Sequence, residues 1–299
     1  MRKLFKFFII IVICFGLLIS GHIFYLTTLA AKEKYSTDDY LLAAADKKAL
    51  IIVAHDDDMV GSSGCISMLC DKGWNIREMC FYQQGGLYFK KDSAKNPIRK
   101  KSLKQVADIQ GLSGIDPVDF NFRNDMQTEK SYLPMPYEQF STNYKIDSLL
   151  SIIGHYIEKY KPSVIFSLDD VMGGYGHPDH TVVGQLVVRY CKEHRSDSGF
   201  TVKRIYQPVF PPSLADRVLG KMEPYQQAKK VYHADGMPLP DVQINFYDYA
   251  AKKKQCMQAY TTEQNSLKQI WPFYSWYPYW VYFRIFNREF YKVVDVDKL

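Results

Sequence analysis

The chain has 299 residues, 47% of them hydrophobic and 23% charged, the balance of a globular protein long enough for one large α/β domain or two small ones. Its net charge of +6 is spread along the sequence, with no basic run interleaved with aromatics, so a nucleic-acid groove is excluded and no nucleic-acid partner is expected. No internal repeat or low-complexity linker interrupts it.

The amino terminus reads as a membrane or export signal. Arg2, Lys3 and Lys6 precede a run from Phe7 to Ala31 without a formally charged side chain. That run exceeds the roughly 20 residues a helix needs to cross a bilayer, and also the apolar segment of about 7–15 residues in a secretory signal peptide. The preferred reading is an uncleaved signal-anchor over 1–35. Thr28-Leu29-Ala30 before Ala31 leaves cleavage and secretion as the alternative. Lys32 and Lys34 are partly offset by Glu33, so the charge asymmetry favours a cytoplasmic amino terminus and an extracytoplasmic catalytic domain. No lipobox precedes Cys14.

Beyond the anchor, strands and helices alternate. Residues 49–54 (ALIIVA) form an apolar, β-branched run, as in a strand buried on both faces. A helix is predicted over 58–72, ending near Gly73, then a strand over 76–82 and the Gly85-Gly86 turn. A basic helix over 97–112 leads to a third strand over 117–122. An amphipathic helix over 143–160 stops at Pro162, before a strand over 163–168; a helix over 179–194 and a fifth strand over 202–207 follow. Residues 208–245 are proline-rich and without a clear period, an elaboration over the sheet. The alternation predicts a Rossmann-like three-layer α/β/α fold with a mostly parallel sheet, in a single domain over 36–299. Ligands in such sheets sit beyond the carboxyl ends of the strands, at a topological switch point. Cys65, Cys70, Cys80, Cys191 and Cys256 include no Cys-x-x-Cys pair and read as buried small hydrophobes.

Two stretches carry the chemistry. Ala54-His55-Asp56-Asp57-Asp58 follows the first buried strand, and Gly173-Gly174-Tyr175-Gly176-His177-Pro178-Asp179-His180 opens a helix soon after a later one. Each presents a ligand pair three residues apart, one His/carboxylate and one His/His. Together they can build a two-histidine, one-carboxylate site with a position left open for water, the arrangement of a catalytic zinc. The competing reading of the first stretch is a helix cap, since aspartates suit a helix amino terminus. For the second it is a turn with Pro178 in the first helical position.

These motifs resemble those of the LmbE/PIG-L family of zinc-dependent N-acetylglucosaminyl deacetylases, which carries Ala-His-Pro-Asp-Asp-Glu after its first strand and His-Pro-Asp-His after a later one. Weaker similarity covers Ile98-Arg99 to Gly111, the surroundings of Asp125, Lys254 to Gln264, and Arg288-Glu289. The resemblance implies His55, Asp58 and His180 as zinc ligands, and Asp57 as general base. It implies His177 as general acid or oxyanion stabiliser, oriented by a hydrogen bond that the Asp179 carboxylate accepts. Arg99 and Asp125 align with substrate-binding positions, although either suits a surface ion pair. Tyr175 is divided between oxyanion donor, sugar contact and packing. The chemistry asks for these residue types on its own account. Zinc lowers the pKa of bound water to about 7 and polarises an amide oxygen. A carboxylate that is not itself a ligand can then take the water's proton. Two histidines and a carboxylate also suit Fe(II) or another divalent metal.

Three departures from the family pattern stand out. Asp56 replaces the usual proline, Met59 a glutamate, and Ser102 another glutamate. Aromatics crowd the segment Trp271 to Tyr291, which suits sugar stacking, a membrane interface or a satellite core. The expected protein is a single-pass, membrane-anchored deacetylase releasing acetate from an N-acetylated amino sugar in a glycan or glycolipid. An amidase on a thiol-sugar or other amide conjugate, and a non-catalytic glycan-binding relative, are the alternatives.

Overall fold

The computed structural model describes residues 2–81, 90–124 and 130–299, so Asp125 and the Gly85-Gly86 turn lie outside the described residues. The first strand pairing explains the rest. In β2 (Lys48–Val53), Leu50, Ile51, Ile52 and Val53 are all fully buried. Burying such a side chain stabilises by about 1.5–3 kcal/mol, so this strand is the spine of the sheet. It pairs in parallel with β3 (Asn75–Phe81) on one side and with β5 (Val164–Ser167) on the other. β4 (Gly114–Val118) extends the sheet beyond β3, and β6 (Arg204–Pro208) extends it beyond β5, both parallel.

The described strands form one mixed, mostly parallel sheet of order β1-β7-β8-β6-β5-β2-β3-β4, with β1 at Ser36–Thr37, β7 at Val242–Asn245 and β8 at Arg288–Asp295. Only β8 runs antiparallel, to β6 and to β7. Helices Ser63–Asp71, Lys90–Gln110 and Ala250–Ala259 pack on one another, and Ile146–Tyr160 packs on Pro178–His194, giving the layered α/β architecture expected from the alternation. The chain leaves β2 toward β3 and β4, then returns to β5 on the other side of β2. The switch point therefore lies at the carboxyl ends of β2 and β5, the two strands that precede the motifs.

Several elements differ from the sequence reading. The helix predicted over 58–72 opens as a 3-10 turn, Asp58–Ser62, before Ser63–Asp71 becomes α-helical. The third strand is β4, several residues earlier than 117–122, because its register is set by pairing Arg77 with Gly114 rather than by its own pattern. The stretch 208–245 contains helices Pro212–Val218 and Glu223–Val231 and strand β7.

The amino-terminal helix, Arg2–Leu29, is apolar and exposed over most of its length, and is long and apolar enough to cross a membrane. Its last turns pack on the aromatic segment. Leu26 is fully buried in a second core with Phe246, Tyr260, Tyr274, Tyr282 and Phe283. The aromatic segment thus divides, because Trp276, Tyr279 and Trp280 stay exposed. All six cysteines are free thiols; Cys65, Cys80, Cys191 and Cys256 are buried.

Candidate metal centre

His55 lies two residues past the end of β2, and its neighbour in space is His180, in the first turn of helix Pro178–His194. His55 Nδ1 lies 3.1 Å from His180 Nε2 and 3.4 Å from Asp58 Oδ1, and His180 Nε2 lies 3.0 Å from the same oxygen. Donors about 2.0–2.1 Å from a tetrahedral zinc stand about 3.3 Å apart. The three expected ligands therefore converge on one point at the spacing that a small divalent ion demands.

The outward-facing atoms agree. His55 Nε2–H donates to Asp179 Oδ2 at 3.2 Å, and His180 Nδ1–H donates to the carbonyl of Gly173 at 3.0 Å. Each imidazole thereby turns its other nitrogen inward, held by the kind of outer hydrogen bond that orients metal-binding histidines. Asp58 is fixed in the same way, its Oδ2 accepting the His55 backbone N–H at 2.8 Å. Three inward lone pairs at such separations repel unless a cation or a proton sits among them. Burial alone would lower His55, but the charge of Asp58, then the bonds to Asp179, raise it from 6.5 to about 10. Burial likewise opposes the charge on Asp58, yet His180 and His55 hold it well below the usual carboxylate range. The donor set fits a resident divalent cation.

The geometry also disposes of the helix-cap reading, because Asp57 occupies the cap position without making a side-chain cap. Its Oδ1 instead accepts from Arg99 Nη2 at 2.5 Å. Arg99 also pairs with buried Asp56 and, at 3.6 Å, with Glu263. Asp56 does not loosen the turn left by the missing proline: Tyr260 donates its hydroxyl to the Asp56 carbonyl while Arg99 holds the carboxylate. Met59 is buried in the core, and Ser102 donates to the carbonyl of Ala259 at 2.8 Å, so neither departure enters the site.

The second motif depends on glycine for its path. At Gly173, φ is +56°, and a Cβ would meet Thr181 N at 2.5 Å and His180 Cβ at 2.6 Å. Only glycine brings its carbonyl onto His180 there. Buried Asp169 ties down this loop by accepting from the backbone of Val171, Met172 and Gly174. Pro178 opens the helix, as the turn reading expects, and His177 caps it: its Nδ1 accepts the N–H of Asp179 at 3.2 Å. Burial pushes His177 well below 6.5. Tyr175 lies edge-on to His180, ring centroids 5.4 Å apart, and burial pushes its phenol up.

One expected contact is corrected. The Asp179 carboxylate meets His55, not His177, because the helix start commits the Asp179 backbone to His177 and points its side chain across to the β2 loop. Its Oδ1 accepts from Arg123 Nη1 at 2.7 Å and Tyr144 OH at 2.6 Å, both buried. Burial opposes charge on Asp179, but His177, His55 and Arg123 hold it below the ordinary range. Sequence reasoning missed Arg123 and Tyr144; the clue was a charged residue directly after a predicted strand. It also missed Glu78, buried in β3, where burial first and then Asp56, Asp58 and Asp57 push its carboxyl well above 4.5. Here the clue was a carboxylate directly before the apolar run Met79-Cys80-Phe81 of an inner strand.

These groups open into a cavity of about 970 Å³. Its wall includes His55, Asp57, Arg99, Tyr175, His177 and His180, and it runs on past Trp271 and Phe286 as far as Ala31.

Residues 50–191 match the family model described as PIG-L, GlcNAc-PI de-N-acetylase. No curated protein matches the chain by sequence. Among solved structures, N,N'-diacetylchitobiose deacetylase from Pyrococcus horikoshii is 16% identical with a TM-score of 0.54, over 86% of this chain and 90% of that one. The A40926 pseudoaglycone deacetylase Dbv21 is 13% identical with a TM-score of 0.51, over 84% and 98%. The zinc-inhibited form of teicoplanin deacetylase Orf2 is 12% identical with a TM-score of 0.51, over 84% and 100%. At these identities the likeness is one of fold.

Proposed function

We propose, on the premise that the chain belongs to the PIG-L (LmbE-like) deacetylase family, that it hydrolyses the acetamide of an N-acetylated amino sugar, releasing acetate and a free amine. The observation that carries this reading is the convergence of His55, Asp58 and His180 at 3.0–3.4 Å beside a carboxylate that is not among them, Asp57. In this reading residues 1–35 are the anchor and 36–299 the catalytic unit.

His55, Asp58 and His180 would hold the cation, with zinc preferred and Fe(II) also compatible with the donors. A divalent ion bound there polarises the amide carbonyl and makes water a nucleophile near neutral pH. Asp57 accepts the proton of the attacking water, and Arg99 steadies that carboxylate. His177 has Nδ1 engaged as an acceptor, so its proton resides on Nε2. It donates from there to the carbonyl oxygen as negative charge develops, a contribution of about 3–4 kcal/mol when well aligned. The proton taken up by Asp57 then passes to the departing nitrogen, so that amide and water become acetate and amine. Asp179 holds His55 in its ligating tautomer, which makes it a positioning residue. Tyr175 and Arg99 line the cavity where the sugar would lie, and Asp125 is retained as a sugar contact by resemblance.

The test is acetate release from N-acetylglucosamine as monosaccharide, oligosaccharide and glycolipid, using full-length protein stripped of metal and reloaded with zinc. Activity should require the metal and fall by about 10²–10⁴ in Asp57→Asn, with zinc affinity retained. Zinc-loaded protein that binds these saccharides and deacetylates none of them would instead be the glycan-binding relative.

A further inference from the structure

The amino-terminal helix changes character at His22. Before it, from Leu4 to Ile19, the large apolar side chains are exposed. At His22, the Nδ1 and the Tyr277 hydroxyl are 2.6 Å apart. The His22 ring meets Phe273 edge-on at 4.7 Å, and stacks on Trp276 and Tyr277 at 5.6 Å each. From there the chain is built into the domain. Leu26 is fully buried, Arg217 donates to the carbonyl of Thr28, and Arg288 donates to Ala31 O at 2.7 Å and Glu33 O at 2.8 Å. Ser213 donates its backbone N–H to Glu33 at 2.9 Å and accepts from the Lys32 backbone at 3.0 Å.

Two consequences follow from these contacts. Cleavage after Ala30 or Ala31 would remove Leu26 from a core and leave Arg217 without the carbonyls it binds, Thr28 O and Ala30 O; cleavage after Ala31 would also take Ala31 O from Arg288, which keeps Glu33 O. The helix is also left with a free length from Lys3 to Gly21, which at about 1.5 Å per residue spans about 28 Å, against about 30 Å for a bilayer's hydrocarbon core. At the end of that length, Phe24 (71%) and Tyr25 (47%) are exposed on the helix, with Trp276 (70%), Tyr279 (43%) and Trp280 (56%) on the adjoining segment. Amphipathic aromatic rings in such a collar are suited to the headgroup boundary.

We propose that the helix is retained as a rigid anchor and that Trp276, Tyr279 and Trp280 form a membrane-seating surface embedded in the phospholipid headgroup boundary. The helix's own exit point sets its depth. Helix Tyr279–Ile285 carries this surface because Tyr282 and Phe283 are fully buried beneath it, leaving the first-turn rings Tyr279 and Trp280 facing outward. Ala31, which lines the catalytic cavity, lies directly past the helix, so the cavity is held close to the lipid surface.

The experiment uses the full chain reconstituted into phosphatidylcholine vesicles containing lipids brominated at shallow or at deep acyl positions. Tryptophan emission should be quenched, more strongly by the shallow bromines, and Trp276→Phe/Trp280→Phe should lose that quenching; buried Trp74 and half-buried Trp271 provide the remaining emission. Equal quenching in wild type and double variant, or stronger quenching by deep bromines, overturns the seating. Intact mass of the membrane-purified protein should retain the residues before Ala31, and a mature chain beginning at or near Lys32 overturns the anchor. Both readouts are independent of deacetylation, so they stand or fall apart from the proposed activity.

Discussion

Replacing Asp179 by Asn separates a ligand-positioning role from a purely structural one. The carboxylate accepts His55 Nε2–H at 3.2 Å, which keeps the Nδ1 lone pair directed at the ligand point. An amide in the same place can present its NH₂ to Nε2, favouring the tautomer that protonates Nδ1 and abolishes ligation. Loss of such an outer partner weakens metal binding by about 10–100-fold, or about 1.4–2.7 kcal/mol. The substitution also removes a counter-charge from Arg123, whose side chain is 1% exposed, so stability should fall by about 3–5 kcal/mol. Competition against a chromogenic zinc chelator, at a temperature where both proteins are folded, reads the affinity directly, and circular dichroism melts read the stability. Wild-type zinc affinity in a folded Asp179→Asn protein would refute the argument, even if its melting temperature dropped. Asp241→Asn, at an exposed pair with Lys292, serves as the control and should leave zinc affinity unchanged.

Four further outcomes are expected. Because His55 is raised from 6.5 to about 10 without metal, zinc must displace a proton at neutral pH; apparent affinity should climb about tenfold per pH unit, and calorimetry in buffers of different ionisation enthalpy should count one proton released. For the metal-free protein the sign is opposite: the stability contributed by protonated His55 is complete below about 6.5 and is lost as pH rises through about 10, which urea titrations should register. Arg99→Met strips the counter-ion from buried Asp56 and half-buried Asp57, and should cost about 1–3 kcal/mol in urea unfolding, less than a fully buried pair because Arg99 keeps some solvent contact. Gly173→Ala forces a Cβ against Thr181 N and His180 at positive φ, and should lower both melting temperature and zinc affinity; an unaltered zinc affinity would sever the proposed link between this carbonyl and His180.

The readable parts of this chain are those whose signal is local. ALIIVA announces a strand buried on both faces, and β2 spans most of it, with His55 two residues beyond its end. The Gly-rich approach to His180 announces a tight loop, and the helix begins at Pro178. What the sequence concealed depends on distant partners. β8 begins in the aromatic segment and runs past its end at Tyr291, and it becomes a strand by inserting between β6 and β7. The Asp179 carboxylate was expected on its near neighbour His177, since spacing along the chain is visible and the direction of a side chain across a helix start is not. Its actual partners, His55, Arg123 and Tyr144, come from three separate parts of the chain. Arg99 was expected at the substrate, and its salt bridges to Asp56 and Asp57 emerge only once helix Lys90–Gln110 lies beside the β2 loop.

The free thiols set the protein's tolerance of its surroundings. Burial pushes Cys191, Cys256 and the partly covered Cys70 up to about 12, and Cys65 and Cys80 well above their ordinary value of 9.0. At physiological pH these five sulfurs are almost wholly protonated, and therefore poor nucleophiles toward peroxide, maleimide or a neighbouring disulfide. Protonated sulfur is also a feeble scavenger of soft metals, so these five thiols compete little with the histidine–aspartate triad for an incoming ion.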